Sequence, residues 1–79
     1  MSKLLESLKT DITKSRSLAY FGKYSEAVVE FSKVIDRLQA ELSGIPDRTL
    51  LSEWNRLIDE IKSEREQAQL LRDALLGNF

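Results

Sequence analysis

The side chains in this sequence that could do chemistry are few, and their types narrow the field before any fold is considered. Cysteine and histidine are both absent, which removes thiol nucleophiles, imidazole bases, disulfide frameworks and the common structural zinc sites. The remaining carboxylates cluster as Asp59-Glu60 and Glu64-x-Glu66, with Lys62 and Arg65 interleaved. Neighbouring helical residues point apart, so this pattern reads as a solvated, salt-laced face and not as converging acid–base groups. Metal binding by carboxylates in helical bundles uses Glu-x-x-His elements from several helices, a route closed without histidine. Gly22, Gly44 and Gly77 are isolated, so no glycine-rich phosphate loop is present. The expectation is no catalytic residue, no cofactor and no metal within this chain.

Positive charge is the more informative chemistry. The total is close to balance, 12 basic against 13 acidic residues, which argues against attachment to nucleic acid by bulk charge. Locally the balance is uneven. Residues 1–23 carry Lys3, Lys9, Lys14, Arg16 and Lys23 against Glu6 and Asp11, a net +3, whereas residues 24–46 and 47–79 carry −2 each. A basic helix of this kind can meet an acidic polymer or peptide with an affinity that falls as salt rises.

The elements that must position these residues are set by the helix breakers. Gly22, Gly44, Pro46 and Gly77 divide the chain into three helical segments, expected at about residues 2–21, 25–43 and 48–76. In the first, Leu5, Leu8, Ile12, Ser15 and Ala19 recur at spacings of three and four, with Ser15 and Ala19 small enough for a neighbouring helix to approach closely. Gly22 can take the left-handed conformation that ends a helix, and Ser25 can cap the next. Ala27, Val28, Phe31, Val34, Ile35, Leu38 and Leu42 then form the strongest apolar face. Gly44 is expected as its C-cap, Pro46 as its stop, and Asp47 as the N-cap of the third segment. That segment presents Leu50, Leu51, Trp54, Leu57, Ile58 and Ile61, then loses its pattern where Arg65 and Arg72 fall at apolar positions. It outruns its neighbours, leaving Leu70, Leu71, Leu75 and Leu76 to project beyond the bundle or cover its end.

With 79 residues, the chain has room for one domain with a core one layer deep, burying about 60–65% of its unfolded surface. Short connections make neighbouring helices antiparallel, so the fold class is all-α, an up-down-up three-helix bundle. Its outer grooves can accept a further amphipathic segment, which makes binding the natural occupation of this shape. Charged residues interrupt the apolar start, so a secretory signal is not expected, and no stretch approaches the roughly 18 apolar residues of a membrane span.

Two stretches carry a family resemblance. Ser15-Arg16-Ser17-Leu18-Ala19-Tyr20-Phe21-Gly22-Lys23-Tyr24-Ser25-Glu26-Ala27-Val28-Val29-Glu30-Phe31 resembles the first turn region of MIT domains (microtubule-interacting and trafficking), a turn shared with tetratricopeptide repeats. Glu53-Trp54-Asn55-Arg56-Leu57-Ile58-Asp59-Glu60-Ile61-Lys62-Ser63-Glu64, ending near Leu75 and Phe79, is similar to the third helix in the N-terminal domain of the katanin catalytic subunit, a microtubule-severing AAA ATPase. The likeness covers effectively the whole chain; Ser15 and Leu18 depart from the Ala and aromatic residue of many relatives.

The resemblance implies a single MIT-like domain over residues 1–79, the non-catalytic N-terminal part of a larger cytoplasmic, cytoskeletal enzyme found at microtubules, centrosome or spindle. The ATP and magnesium would belong to a downstream AAA module. Implied partners are the helical C-terminal domain of the katanin regulatory subunit and microtubules, with neither nucleic acid nor membrane insertion. Alternatives are a trafficking-type MIT domain that binds helical tail peptides of ESCRT filament subunits, using a groove between its last two helices, and a purely structural helical unit. Val29 projects away from Ala27, Phe31, Val34 and Leu38 on the helical wheel, so Val29, with Lys33, Asp36 and Tyr20, is expected at a partner surface. Microtubules expose acidic tubulin tails, which makes Lys9, Lys14, Arg16 and Lys23 the expected contacts there. Phe21 or Tyr24 should seal the first corner, and Trp54 should lie in the core.

Overall fold

A computed structural model describes residues 2–77, with side chains from Glu6 to Gly77; Leu5 and Phe79 lie outside the described side chains. Three helices account for nearly all of it: α1 (Ser2–Tyr20), α2 (Tyr24–Glu41) and α3 (Arg48–Leu76). They form the expected three-helix bundle with a long third helix, and α2 packs against both of the others.

The first corner closes as the sequence predicts, with one change. Gly22 adopts φ 79°, and behind it the Gly22 amide donates to the Ala19 carbonyl (3.1 Å) and the Lys23 amide to the Leu18 carbonyl (2.8 Å). These two bonds satisfy carbonyls that the helix end would otherwise leave unpaired, the pairing of a Schellman motif. Because the chain re-enters a helix immediately, the residue flanking α2 is Lys23, with no side-chain cap, and Ser25 already lies inside the first turn. The corner is sealed by Tyr24, which packs on the core, while Phe21 is 73% exposed.

At the second corner Gly44 does not serve as a left-handed cap. The end of α2 instead tightens into a 3-10 turn, Leu42–Gly44, which is another way of using the last carbonyls; the Ile45 amide donates to the Leu42 carbonyl at 3.2 Å. Ile45 is extended, φ −101° and ψ 107°, as a residue preceding proline must be. Asp47 then caps α3, accepting from the Thr49 amide at 2.8 Å and the Leu50 amide at 3.3 Å.

The core is the face of α2 enclosed from two sides. Ala27, Val28, Phe31, Val34, Ile35 and Leu38 are buried, together with Leu8 and Ile12 of α1 and Ile58, Ile61 and Ala68 of α3. Ser15 is fully buried and donates its hydroxyl to the Asp11 carbonyl (2.8 Å), satisfying a polar group that burial would otherwise penalise. Leu42, Trp54 and Leu57 are half-buried against this core. Leu50, expected on the inner face, is 42% exposed in the first turn of α3, where Leu51 is the half-buried residue instead. With 29 residues α3 is about 44 Å long against about 27 Å for α2. Leu70, Leu71, Leu75 and Leu76 are accordingly exposed at its far end, and Gly77 closes the helix with φ 72°.

Two substitutions probe the cap and the core. Asp47→Ala removes both cap bonds and should cost about 1 kcal/mol, read as a fall in Tm of about 4–8 °C. Phe31→Ala should cost about 3–5 kcal/mol, a large part of the total of about 4–12 kcal/mol for a chain of this length, so circular dichroism should show a much reduced Tm or an unfolded chain.

Candidate functional site

Each pair of helices is tied by one arginine, and these ties decide which charges are left for a partner. Between α2 and α1, Arg37 bonds the Asp11 carboxylate and donates a second bond to Ser7 Oγ at 3.2 Å. Between α3 and α2, Arg65 donates to Ser32 Oγ at 3.3 Å, which explains an arginine where the apolar pattern breaks. Between α1 and α3, Arg16 makes a two-pronged bridge to Glu64, Nε to Oε1 at 2.9 Å and Nη2 to Oε2 at 3.0 Å. Hydrogen bonding to Glu64 raises the pKa of Arg16 above its already high value, partial burial opposing it.

The four cations expected to face microtubules therefore separate into two pairs. Lys9 and Arg16 stand seven residues apart on one stripe of α1 and line a hollow of about 400 Å³ whose apolar wall is Leu8, Ile12, Leu38, Trp54 and Leu57. Arg16 and Glu64 also line a smaller hollow further along, about 190 Å³, with Tyr24, Phe31, Ala68 and Leu71. Their bridge thus stands midway along the α1–α3 groove. Lys14 and Lys23 line a different hollow of about 420 Å³ with Ser17, Leu18 and Phe21. Lys14 comes no nearer than 4.0 Å to Glu30, and both lysines are solvent-exposed.

The residues expected at a partner surface also divide. Val29, Lys33 and Asp36 share one outward stripe of α2, with Val29 53% exposed; Lys33 lies 3.6 Å from Glu30. Tyr20 is apart from them, 84% exposed at the end of α1 and packed edge-to-face on Phe21 with ring centres 5.2 Å apart.

Sequence reasoning misses Arg37 and Arg65 as structural ties, although the break in the α3 pattern at Arg65 is a visible signal. Nothing local marks Arg16, whose partner is 48 residues away. The paired carboxylates do not assemble: Asp59, Glu60 and Glu66 are exposed while Glu64 turns to Arg16. Among the described residues no three His, Cys, Asp or Glu side chains are grouped to hold a metal ion, and no described helix is long and apolar enough to cross a membrane. What this geometry can do is dock: it offers charged and apolar side chains together on open surfaces.

Residues 8–71 match the family described as katanin p60 subunit A1, MIT domain. That span contains every core residue from Leu8 to Ala68 and stops short of Leu75 and Leu76. No curated protein matches the chain.

The Arg16–Glu64 bridge is partly exposed, so its coupling energy should be modest, about 0.5–1 kcal/mol. A double-mutant cycle with Arg16→Ala and Glu64→Gln, followed by urea unfolding, should return that value at low salt and a smaller one in high salt. A coupling of zero at low salt would show that the bridge does not hold α1 to α3.

Proposed function

Since the chain belongs to the katanin p60 subunit A1 MIT-domain family, a protein-interaction fold and not a catalytic one, we propose that it is the N-terminal docking domain of a katanin-type microtubule-severing ATPase. In this reading it binds the helical C-terminal domain of the katanin regulatory subunit and contributes to microtubule binding. The severing chemistry, with ATP and magnesium, belongs to an AAA module beyond residue 79, and the whole protein works at the microtubule cytoskeleton.

The observation that carries the proposal is the division of α2 into a fully enclosed face and an outward strip bearing Val29, Lys33 and Asp36. An exposed β-branched residue flanked by opposite charges offers a helical partner an apolar contact and two charges that set register. Tyr20 adds an aromatic contact at the end of α1, where a ring so exposed has little packing role to lose. For microtubules the support is electrostatic: Lys9, Lys14 and Lys23 are exposed, and Arg16 is the weakest of the four because Glu64 already holds it. The trafficking-type alternative favours the seam between α2 and α3; that seam is crossed by Arg65 reaching Ser32, and the two larger hollows lie mainly along α1, whereas the smaller one also opens on α2 and α3 through Tyr24, Phe31, Ala68 and Leu71.

Val29→Asp should weaken capture of the regulatory subunit's C-terminal domain by about tenfold or more, equivalent to about 1.4 kcal/mol, with the helical circular dichroism unchanged. Equal capture by the variant and the parent chain would remove the α2 strip from the interface. Separately, Lys14→Glu with Lys23→Glu should reduce microtubule co-sedimentation most strongly at low salt.

A further inference from the structure

Two serines lie close together in the basic stretch Lys14-Ser15-Arg16-Ser17, and the fold treats them oppositely. Ser15 is fully buried with its hydroxyl committed to the Asp11 carbonyl at 2.8 Å. Ser17 is exposed in the last turn of α1, where it lines the hollow of about 420 Å³ together with Lys14, Leu18, Phe21 and Lys23. Lys14 stands one helical turn before it, and Lys23 enters from the following corner.

We propose that Ser17 is a phosphorylation site for a protein kinase that reads basic residues on the N-terminal side, and that its phosphate is held between Lys14 and Lys23. In the transfer, Ser17 Oγ attacks the γ-phosphorus of ATP, the Oγ–P bond forms as the bond to ADP breaks, and the hydroxyl proton passes to the kinase's base. The product carries a charge of about −2 and three strong acceptor oxygens.

Three features favour Ser17. Lys14 supplies an exposed positive charge three residues before it, and Arg16, bridged to Glu64 in the folded chain, stands one residue before it. The chain around it can open locally, since Tyr20 and Phe21 are exposed, Leu18 and Ala19 are only half-buried, and Gly22 follows at φ 79°. Finally, the site answers its own electrostatic objection. An anion at a helix C-terminus is opposed by the helix dipole, and here two lysines on the same hollow supply the compensating charge, with Glu30 competing for Lys14 only from 4.0 Å. Phosphorylation would lower the net charge of residues 1–23 from +3 to about +1 and occupy both lysines. This regulatory consequence rests on the proposed contact of the basic helix with acidic tubulin tails.

The test uses the 79-residue chain, a basophilic serine/threonine kinase and magnesium-ATP. Mass spectrometry should find one phosphate, at Ser17 and not Ser15, with none in Ser17→Ala. In phosphorus NMR the bound phosphate should titrate below the ordinary value of about 6, and return to it in the Lys14→Ala, Lys23→Ala double variant. Microtubule co-sedimentation of the phosphorylated chain should fall about tenfold at low salt. Phosphate found only elsewhere, a titration indifferent to the two lysines, or unchanged co-sedimentation would each overturn the proposal. If the unmodified chain fails to co-sediment, the microtubule reading fails instead, and the first two measurements still decide the fate of Ser17.

Discussion

Enclosure of one face of α2 is the constraint on which the rest of this structure depends. A chain of this size has a single layer of core, and here that layer is built around Phe31, Val34 and Leu38, with Ala27 admitting close approach at the first corner. Ser15 does the same from α1, its hydroxyl turned back onto its own helix. Because α2 gives its inner face wholly to burial, its outer face is available to carry Val29, Lys33 and Asp36. The proposed docking surface and the core are therefore opposite sides of one helix, and a change that rotated α2 would move both at once.

Around this apolar centre the three arginines have a different task. Arg37, Arg65 and Arg16 each span a different pair of helices. Contacts of this exposure contribute little to stability, about 0–1 kcal/mol apiece, but they discriminate between alternative rotations of helices whose apolar faces are otherwise tolerant. They also change which groups carry the segment charges of +3, −2 and −2: with Arg16 and Asp11 both paired, the +3 of residues 1–23 rests on its lysines against Glu6. Part of the positive excess of α1 is already matched by Glu64, and part of its acidic content by Arg37.

Much of this is legible in the sequence because it is local. Helix breakers and apolar spacing mark the three helices, the left-handed Gly22 and the Asp47 cap, and the helical wheel puts Val29 outside. The failures concern choices that local chemistry leaves balanced. A glycine near a helix end can cap it or sit in a 3-10 turn, and at Gly44 the nearby Pro46 favours the second. Phe21 and Tyr24 are equally able to seal a corner until the turn geometry points one of them outward. The pairing of Arg16 with Glu64 joins residues far apart in sequence, as do Arg37 with Asp11 and Arg65 with Ser32, so no periodicity within one helix could disclose them. That separation is also why four cations that read as one basic surface are divided between two sides of α1.

The Arg16–Glu64 bridge has a mechanical consequence as well. Both α1 and α3 rest on α2, while the seam between α1 and α3 is closed midway by a charged link with hollows on either side. The molecule is thus a helical hairpin, α2 and α3, with a third rail clipped along it. A hydrated clip loosens with ionic strength far more than a packed apolar seam does, so salt weakens the α1–α3 link while the burial of Leu8, Ile12 and Ser15 keeps α1 seated on α2. Under the proposed contact with acidic surfaces, weaker attraction and a looser α1–α3 seam would look alike in a salt titration, and Arg16 takes part in both.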